Sequence, residues 1–210
     1  MLISGGGSNL QVLIDTLKSQ RLDAKITAVI SNVIDAYGLK RAEQHGIATE
    51  VLAHGDFSSR AGFDQALRAK IDHYQPDLVV LAGFMRLLTP EFVAAYDQRM
   101  INIHPSLLPK YRGLNTHQRA IDAKDTLHGA SVHLVTAELD SGAVILQGEV
   151  PIKIGDTAQI LAKRVLTIEH LIYPQVVQWF VEGKLSFIGQ QLCYEQKPLQ
   201  QPLRYNADSQ

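Results

Sequence analysis

LVVLAG, residues Leu78–Gly83, is the stretch that decides the fold class. Its apolar residues follow one another without polar alternation, which is typical of a strand buried on both faces of a parallel sheet. Shorter apolar runs lie at Met1–Ile3, Ile26–Ile30 and Met100–Ile103. Amphipathic segments separate these runs, and we expect helices at Asn9–Ser19, Tyr37–His45, Ser59–His73 and Pro90–Tyr96. This alternation predicts a single-domain α/β fold, with a mostly parallel central sheet and helices on both faces.

The pattern changes after Asn102. A loop rich in proline, lysine and glycine (Pro105–Gly113) precedes a helix that we expect at Thr116–Ala123. The segments Ala130–Thr136 and Ala143–Pro151 alternate apolar and polar residues, so they predict an antiparallel carboxyl-terminal strand pair. We further expect a long amphipathic helix at Thr157–Phe180, one domain over residues 1–189 and a loosely packed tail, rich in glutamine and proline, over residues 190–210.

Composition excludes several classes of protein. The chain has 210 residues, of which 46% are hydrophobic and 20% charged, and its net charge is -1. That charge provides no basic field for nucleic acid or for a membrane surface. The single cysteine, Cys193, excludes an internal disulfide and a four-cysteine zinc site. No apolar run reaches the roughly 20 residues of a membrane span, and MLISGGGSN lacks the features of a secretory signal. We therefore expect a cytoplasmic protein.

A glycine-rich loop, Gly5–Asn9, follows the first apolar run. Glycine allows close approach of a ligand to the backbone, and the amide groups at a helix start suit a phosphate. The alternative is a tight turn in which Ser8 or Asn9 caps the helix. A dinucleotide site is excluded because Leu10 stands where GxGxxG needs a small residue, and no acidic residue follows at the expected distance. The loop predicts either a single-phosphate site or a capped turn.

Asn102, His104 and Asp140 form the candidate catalytic group. Asn102 and His104 are two positions apart on a predicted strand, so their side chains point to the same side, at the carboxyl end where open α/β sheets build sites. Asp140, in the loop between the later strands, is placed to reach His104. A carboxylate favours the cationic imidazole, and an amide donor stabilises an oxyanion. The alternative is a histidine with a purely structural role. No competing nucleophile is convincing, since Ser106 lacks a GxSxG context.

Five motifs together resemble a known family. They are SGGGSNLQ (4–11), SNxxDAxGLxRA (31–42), LAGFMRLL (81–88), NIHPSLLPKYRG (102–113) and SVHLVTAELDSGAVI (131–145). In this order they are similar to the folate-dependent formyltransferases, and the GGGSN loop resembles the branch that acts on glycinamide ribonucleotide in purine biosynthesis. The resemblance covers Leu2 to about Gly183. It implies a Rossmann-like formyltransferase fold and transfer of formyl from 10-formyltetrahydrofolate, the co-substrate, to the substrate amine, without a metal.

The resemblance also implies roles for individual residues. It implies that Gly7, Ser8, Asn9 and Glu169 bind the ribonucleotide, that Asn102, His104 and Asp140 are catalytic, and that the folate contacts Arg60, Met85, Arg86, Leu87, Leu88, Asn102, Ala137, Glu138, Leu139 and Asp140. The chain departs from the family where Lys124 and Ser141 replace frequent glycines and where Arg112 replaces a frequent proline. It also starts a few residues short of the usual form, so we expect a brief first strand.

Two other functions stay open at this stage. A hydrolase would pass the same formyl group to water, although the phosphate loop argues against it. A non-enzymatic module would bind a phosphorylated metabolite without chemistry, although the intact Asn102, His104 and Asp140 argue against that. We expect small-molecule substrates, no nucleic-acid or membrane partner, and a monomer or a homodimer.

Overall fold

Strands and helices alternate along the first half of the chain. The computed structural model describes residues 1–20 and 22–206. The elements of this half are β1 (Leu2–Ile3), α1 (Ser8–Ser19), β2 (Ala28–Ser31), α2 (Tyr37–Gln44), β3 (Ala48–Val51), a 3-10 helix (His54–Asp56), α3 (Arg60–His73), β4 (Val79–Leu81), α4 (Pro90–Ala95) and β5 (Met100–His104). The predicted helices and strands are confirmed to within two residues at each end, and the first strand is brief, as expected.

Longer strands and one long helix characterise the second half. Its elements are α5 (Thr116–Asp122), β6 (Leu127–Leu134), β7 (Val144–Pro151), α6 (Ala158–Val181), β8 (Leu185–Ile188), β9 (Gln191–Tyr194), β10 (Lys197–Pro198) and β11 (Leu203–Arg204). The chain divides into two units, one of residues 1–102 with 135–137, the other of residues 103–134 with the chain from Glu138 on. The extent predicted for a single domain, residues 1–189, stays a prediction.

The first unit contains a parallel sheet in the order β3-β2-β1-β4-β5. All three residues of β4 are buried, which confirms that LVVLAG forms a strand covered on both faces. Its Val79 and Leu81 belong to an apolar core with Phe63 and Leu67 of α3. The sheet thereby brings the carboxyl ends of β1 and β4 to one edge, because parallel strands run in the same direction.

The second unit contains the antiparallel pair that the sequence predicts. β6 and β7 pair from Leu127 opposite Pro151 to His133 opposite Val144, with an irregularity between Val132 and His133. Helix α6 packs on both strands, and its apolar side is buried. The loop that joins β6 to β7 holds Asp140. The fold class predicted from the sequence, α/β with a mostly parallel sheet and an antiparallel pair, is confirmed.

The segment near the carboxyl terminus differs from the prediction. β8, β9 and β10 form an antiparallel sheet, and β11 pairs in parallel with β7. Leu192 and Cys193 are buried. The prediction of a loosely packed tail from residue 190 is therefore wrong for β9 and β11, because β9 pairs with β8, β11 pairs with β7, and the side chains of Leu192 and Cys193 are buried. Residues 207–210 of that tail lie outside the described residues.

Candidate active site

The glycine-rich loop joins β1 to α1, and its last glycine begins the helix. Gly7 is the residue that precedes the first turn, with a φ of 69°, and no side chain caps the helix. The prediction that Ser8 or Asn9 supplies the cap is therefore wrong, since both already lie in the first turn. A β-carbon on Gly7 would lie 2.7 Å from the Cα of Gly38. The close approach of two backbones thus explains why a glycine stands here.

Arg41 of α2 holds the outer part of this loop. Its Nε donates a hydrogen bond to the carbonyl oxygen of Gly6 at 2.9 Å, and an Nη donates to Gln11 of α1 at 3.2 Å. The amide of Gly38 also donates to the carbonyl oxygen of Gly5 at 3.0 Å. Because the loop carbonyls are occupied in this way, the loop is fixed with a cationic side chain beside it. A fixed loop at a helix start with a cation nearby suits an anion.

The segment Met85–Leu88 follows β4 and precedes α4. Met85 and Leu87 are exposed, at 66% and 55%, whereas Leu88 packs on the apolar core of the first unit. The guanidinium of Arg86 lies 5.6 Å from the ring centre of Phe63, and its buried Nε has no hydrogen-bond partner among the described residues. Exposed apolar side chains beside an unpartnered polar atom suit a flat ligand with a polar edge.

Strand β5 carries two of the three predicted catalytic residues. The residues of MINIH are buried except for Asn102, which is half-buried. Alternation along the strand places the side chains of Asn102 and His104 on the same side. His104 is only 6% exposed, so any hydrogen bond that its imidazole makes is little weakened by water.

Asp140 lies beside His104, as the sequence predicts. Its Oδ2 is 3.4 Å from Nδ1 of His104 and accepts a hydrogen bond from the amide of Gly113 at 2.8 Å. The Asp140 side chain is only 8% exposed, and its backbone φ is 48°, a left-handed conformation that aspartate tolerates. The amide of Gly113 therefore fixes the carboxylate in a buried position facing the imidazole.

A second imidazole faces the other carboxylate oxygen. Nε2 of His133 lies 3.7 Å from Oδ1 of Asp140, and its Nδ1 donates to the carbonyl oxygen of Leu134 at 2.8 Å. Burial lowers the pKa of His133, more than the Asp140 carboxylate raises it. A neutral His133 with its proton on Nδ1 offers no hydrogen to Asp140. The Asp140 charge is consequently directed to His104, the nearer of the two imidazoles.

The other nitrogen of His104 contacts a backbone carbonyl. Nε2 lies 2.9 Å from the carbonyl oxygen of Tyr111. A carbonyl oxygen can only accept, so Nε2 carries a hydrogen and donates it. This single hydrogen is therefore occupied by Tyr111 in the structure, and it can serve an oxyanion formed from a formyl group only by exchanging that carbonyl oxygen for it.

The loop between β6 and β7 holds the remaining predicted folate residues of the second unit. Glu138 pairs with Arg112 at 2.7 Å, and Leu139 is 48% exposed. The hydroxyl of Ser141 donates to the carbonyl oxygen of Glu138 at 3.0 Å, so the residue that replaces the family's glycine closes the turn. Ala137 is exposed and belongs to the first unit.

Glu169, Arg60 and Ser131 differ from one another in burial and in their contacts. Glu169 of α6 is nearly buried, at 9% exposure, and has polar interactions. Arg60 is the first residue of α3 and is exposed. Ser131 of β6 accepts a hydrogen bond from the amide of Leu108 and donates one to the carbonyl oxygen of Ser106. It therefore stabilises the loop that follows β5.

A pair of histidines lies outside the catalytic group. Nδ1 of His117 is 3.2 Å from Nε2 of His128. Burial lowers the pKa of both, that of His128 to about 4. His128 also lines a cavity of about 410 Å³ beside Lys110 and Arg204, which pair with Asp125 and Glu149 respectively. The charges of this cavity are thus neutralised within the protein.

Within residues 1–20 and 22–206, no group of three or more histidine, cysteine, aspartate or glutamate side chains is arranged to hold a metal ion. In the same part of the chain, the helices fall short of the length and apolar character needed to cross a membrane.

Comparisons with known proteins agree with the motifs. Residues 1–177 match the formyl transferase family. The phosphoribosylglycinamide formyltransferase of Escherichia coli K12 is 54% identical over 186 residues, which cover 89% of this chain and 88% of that protein. The Haemophilus influenzae protein of the same name is 48% identical over 185 residues, or 88% of this chain and 87% of that protein. The solved structure of the Coxiella burnetii phosphoribosylglycinamide formyltransferase has a TM-score of 0.92 at 50% identity, over 98% of this chain and 97% of that one. The resemblance noted in the sequence is confirmed.

Proposed function

This chain belongs to the formyl transferase family, and we propose that it transfers the formyl group of 10-formyltetrahydrofolate to the amine of glycinamide ribonucleotide. The products are the N-formylated ribonucleotide and tetrahydrofolate, in purine biosynthesis. The observation that carries this proposal is the buried pair of His104 and Asp140, with 3.4 Å between Nδ1 and Oδ2. The name shared by the relatives of 48% and 54% identity supports the choice of substrates.

The ribonucleotide phosphate binds at the glycine-rich loop in this proposal. Gly7, Ser8 and Asn9 present the backbone amides at the start of α1. Arg41, fixed on the carbonyl of Gly6, adds a positive charge beside the phosphate. Glu169 accepts hydrogen bonds from the ribose hydroxyls, which its carboxylate is suited to do.

In the first unit, the folate binds along Met85–Leu88 and at Ala137 in this proposal; Glu138, Leu139 and Asp140 of the second unit are the folate residues that the resemblance implies there. Met85 and Leu87 offer the exposed apolar side chains that a pterin ring covers, and Arg86 offers an unpartnered Nε. Arg60, exposed at the start of α3, pairs with the carboxylate end of the folate.

His104 and Asn102 act on the formyl oxygen. The neutral amine of the ribonucleotide attacks the formyl carbon, and the carbon–oxygen double bond becomes an oxyanion. The N–H of Nε2 of His104 exchanges the carbonyl oxygen of Tyr111 for that oxyanion, and the amide of Asn102 donates to the same oxygen. Removal of one such donor costs on the order of 10²–10³ in rate.

Asp140 keeps the imidazole in place and serves the proton transfer. Its Oδ2 is fixed by Gly113 and faces Nδ1 of His104, so Nε2 stays directed outward from the pair. As the tetrahedral intermediate collapses, the bond from carbon to the folate nitrogen breaks and that nitrogen takes a proton. The proton comes from the attacking amine, through water that Asp140 and His104 organise.

Release of tetrahydrofolate with and without glycinamide ribonucleotide tests this function. We expect release only when the ribonucleotide is supplied, at equal protein concentration. Equal release in both reactions identifies a hydrolase, and binding of the ribonucleotide with no release identifies a non-enzymatic module. The matched control is the ribonucleoside without its phosphate, which should react poorly because the glycine-rich loop has no anion to hold. We propose that the protein acts in the cytoplasm, as a monomer or homodimer.

A further inference from the structure

The segment Met85–Leu88 has no regular structure of its own. In the described part of the chain, the backbone of Arg86, Leu87 and Leu88 makes no hydrogen bond. The segment is held instead at its two ends by side chains of the first unit. The amide of Met85 donates to Oγ of Ser4 at 2.8 Å, and the amide of Thr89 donates to Oδ2 of Asp64 at 2.6 Å.

Ser4 is itself fixed in orientation. Its hydroxyl donates to Oδ1 of Asn32 at 2.5 Å, so its lone pairs are left to accept the amide of Met85. Asn32 is 4% exposed, and its Nδ2 lies 3.3 Å from Nδ1 of His54. Ser4 directly precedes Gly5, so the same residue connects the glycine-rich loop with the start of the folate segment.

The burial of the Asp64 carboxylate is unfavourable for the stability of the fold. It is 3% exposed on α3, and its Oδ1 has no hydrogen-bond partner among the described residues. A buried carboxylate oxygen without a partner lowers the free energy of unfolding, so its presence calls for another explanation. The short bond from the amide of Thr89 provides one, because it fixes the end of the segment at which α4 begins.

We propose that Ser4 and Asp64 are positioning residues that hold Met85–Leu88 in the shape that binds folate. This inference rests on the proposed function, which assigns the folate to that segment. The two side chains bind the backbone at the two ends of the segment. They thereby hold the segment in its binding conformation in the absence of folate. Without an anchor, folate binding has to order the backbone and is weakened accordingly.

Removal of each anchor tests the proposal. The variants are Asp64→Ala and Ser4→Ala, with Asp64→Asn, which keeps an oxygen for the amide of Thr89, as the conservative variant. Thr157→Ala is the matched control, because Thr157 also accepts a backbone amide, that of Ile160, at the start of α6. For each protein we measure the Kd of tetrahydrofolate by calorimetry, kcat, KM for both substrates and Tm.

We expect Asp64→Ala and Ser4→Ala to weaken tetrahydrofolate binding about tenfold and to raise KM for 10-formyltetrahydrofolate in proportion. Asp64→Ala should leave KM for the ribonucleotide within about twofold, Asp64→Asn should recover most of the affinity, and Thr157→Ala should lower Tm alone. If Asp64→Ala does not fold, Ser4→Ala decides the question.

The two proposals fail in different ways. If wild-type protein releases tetrahydrofolate only with the ribonucleotide, but neither alanine variant alters the Kd, Ser4 and Asp64 are merely structural and the inference is overturned. If wild-type protein binds tetrahydrofolate through both anchors yet needs no ribonucleotide for release, the proposed function is overturned and the inference stands.

Discussion

Replacement of Gly7 by alanine perturbs the glycine-rich loop at its most constrained point. The φ of 69° lies in the left-handed region, which costs an L-residue about 1–2 kcal/mol. The new methyl group would also lie 2.7 Å from the Cα of Gly38, and a backbone atom does not give way cheaply. Overpacking of this kind costs about 1–3 kcal/mol, so Gly7→Ala should lower the free energy of unfolding by about 2–5 kcal/mol.

Gly46 provides a matched control for the cost of placing alanine in a left-handed backbone conformation. Its φ is 68°, but no atom lies within 4 Å of the position of its β-carbon. Gly46→Ala should therefore lower the free energy of unfolding by only about 1 kcal/mol, partly offset by the stiffer unfolded chain. The difference between the two variants isolates the contact with Gly38.

Urea unfolding of both variants measures that difference, and steady-state kinetics measures its effect on binding. Gly7→Ala should raise KM for the ribonucleotide, because the amides at the start of α1 are displaced, whereas Gly46→Ala should not. If Gly7→Ala is no less stable than Gly46→Ala and binds the ribonucleotide normally, the close approach of the loop to α2 does not shape the phosphate site.

Two further predictions concern charge. Asp140→Asn removes the negative charge between two imidazoles, so kcat should fall about a hundredfold or more and the pH profile of kcat should change; an unaltered profile would speak against the role of Asp140. The pKa of His128 is lowered from 6.5 to about 4 by burial, so the unfolded chain binds more protons than the folded one below pH 6.5. Stability should therefore fall as the pH drops from about 6.5 to 4, with a share of about 1–2 kcal/mol from this residue. Urea unfolding at pH 7 and 5 should show a smaller loss in His128→Gln than in wild type, and equal losses would refute the assignment.

The fold could be predicted where hydrophobic periodicity is strong. LVVLAG and the amphipathic segments around it specify β4 and its neighbouring helices, because a strand buried on both faces needs a continuous apolar run. β3 was not predicted, since ATEV, residues 48–51, has no buried residue and only two apolar ones. The strands after Gly189 were not predicted because they are two to four residues long, which is too short for a recognisable alternation of apolar and polar residues.

The sequence likewise predicts some parts of the candidate site and not others. Alternation on β5 predicts that Asn102 and His104 share a side, and the family motif adds Asp140, which the structure places beside His104. The contacts that hold this pair involve the backbone of Gly113 and Tyr111, and those depend on loop conformation rather than residue type. Lys124 has a φ of 55°, a left-handed conformation that favours the glycine which the family resemblance implies at this position.

Ser4 and Asp64 carry no motif of their own in the sequence. Ser4 reads as the end of a strand and Asp64 as a polar residue on an amphipathic helix. Only the positions of the amides of Met85 and Thr89 reveal what these side chains do.

The proposed reaction depends above all on the imidazole of His104, which, supported by Asp140, stabilises the oxyanion. The most direct measurement is kcat of His104→Ala, together with calorimetric binding of tetrahydrofolate to the same variant. We predict that kcat falls by at least about a hundredfold while the Kd of tetrahydrofolate stays within about twofold. Turnover near the wild-type rate in a variant that still binds tetrahydrofolate would contradict the claim.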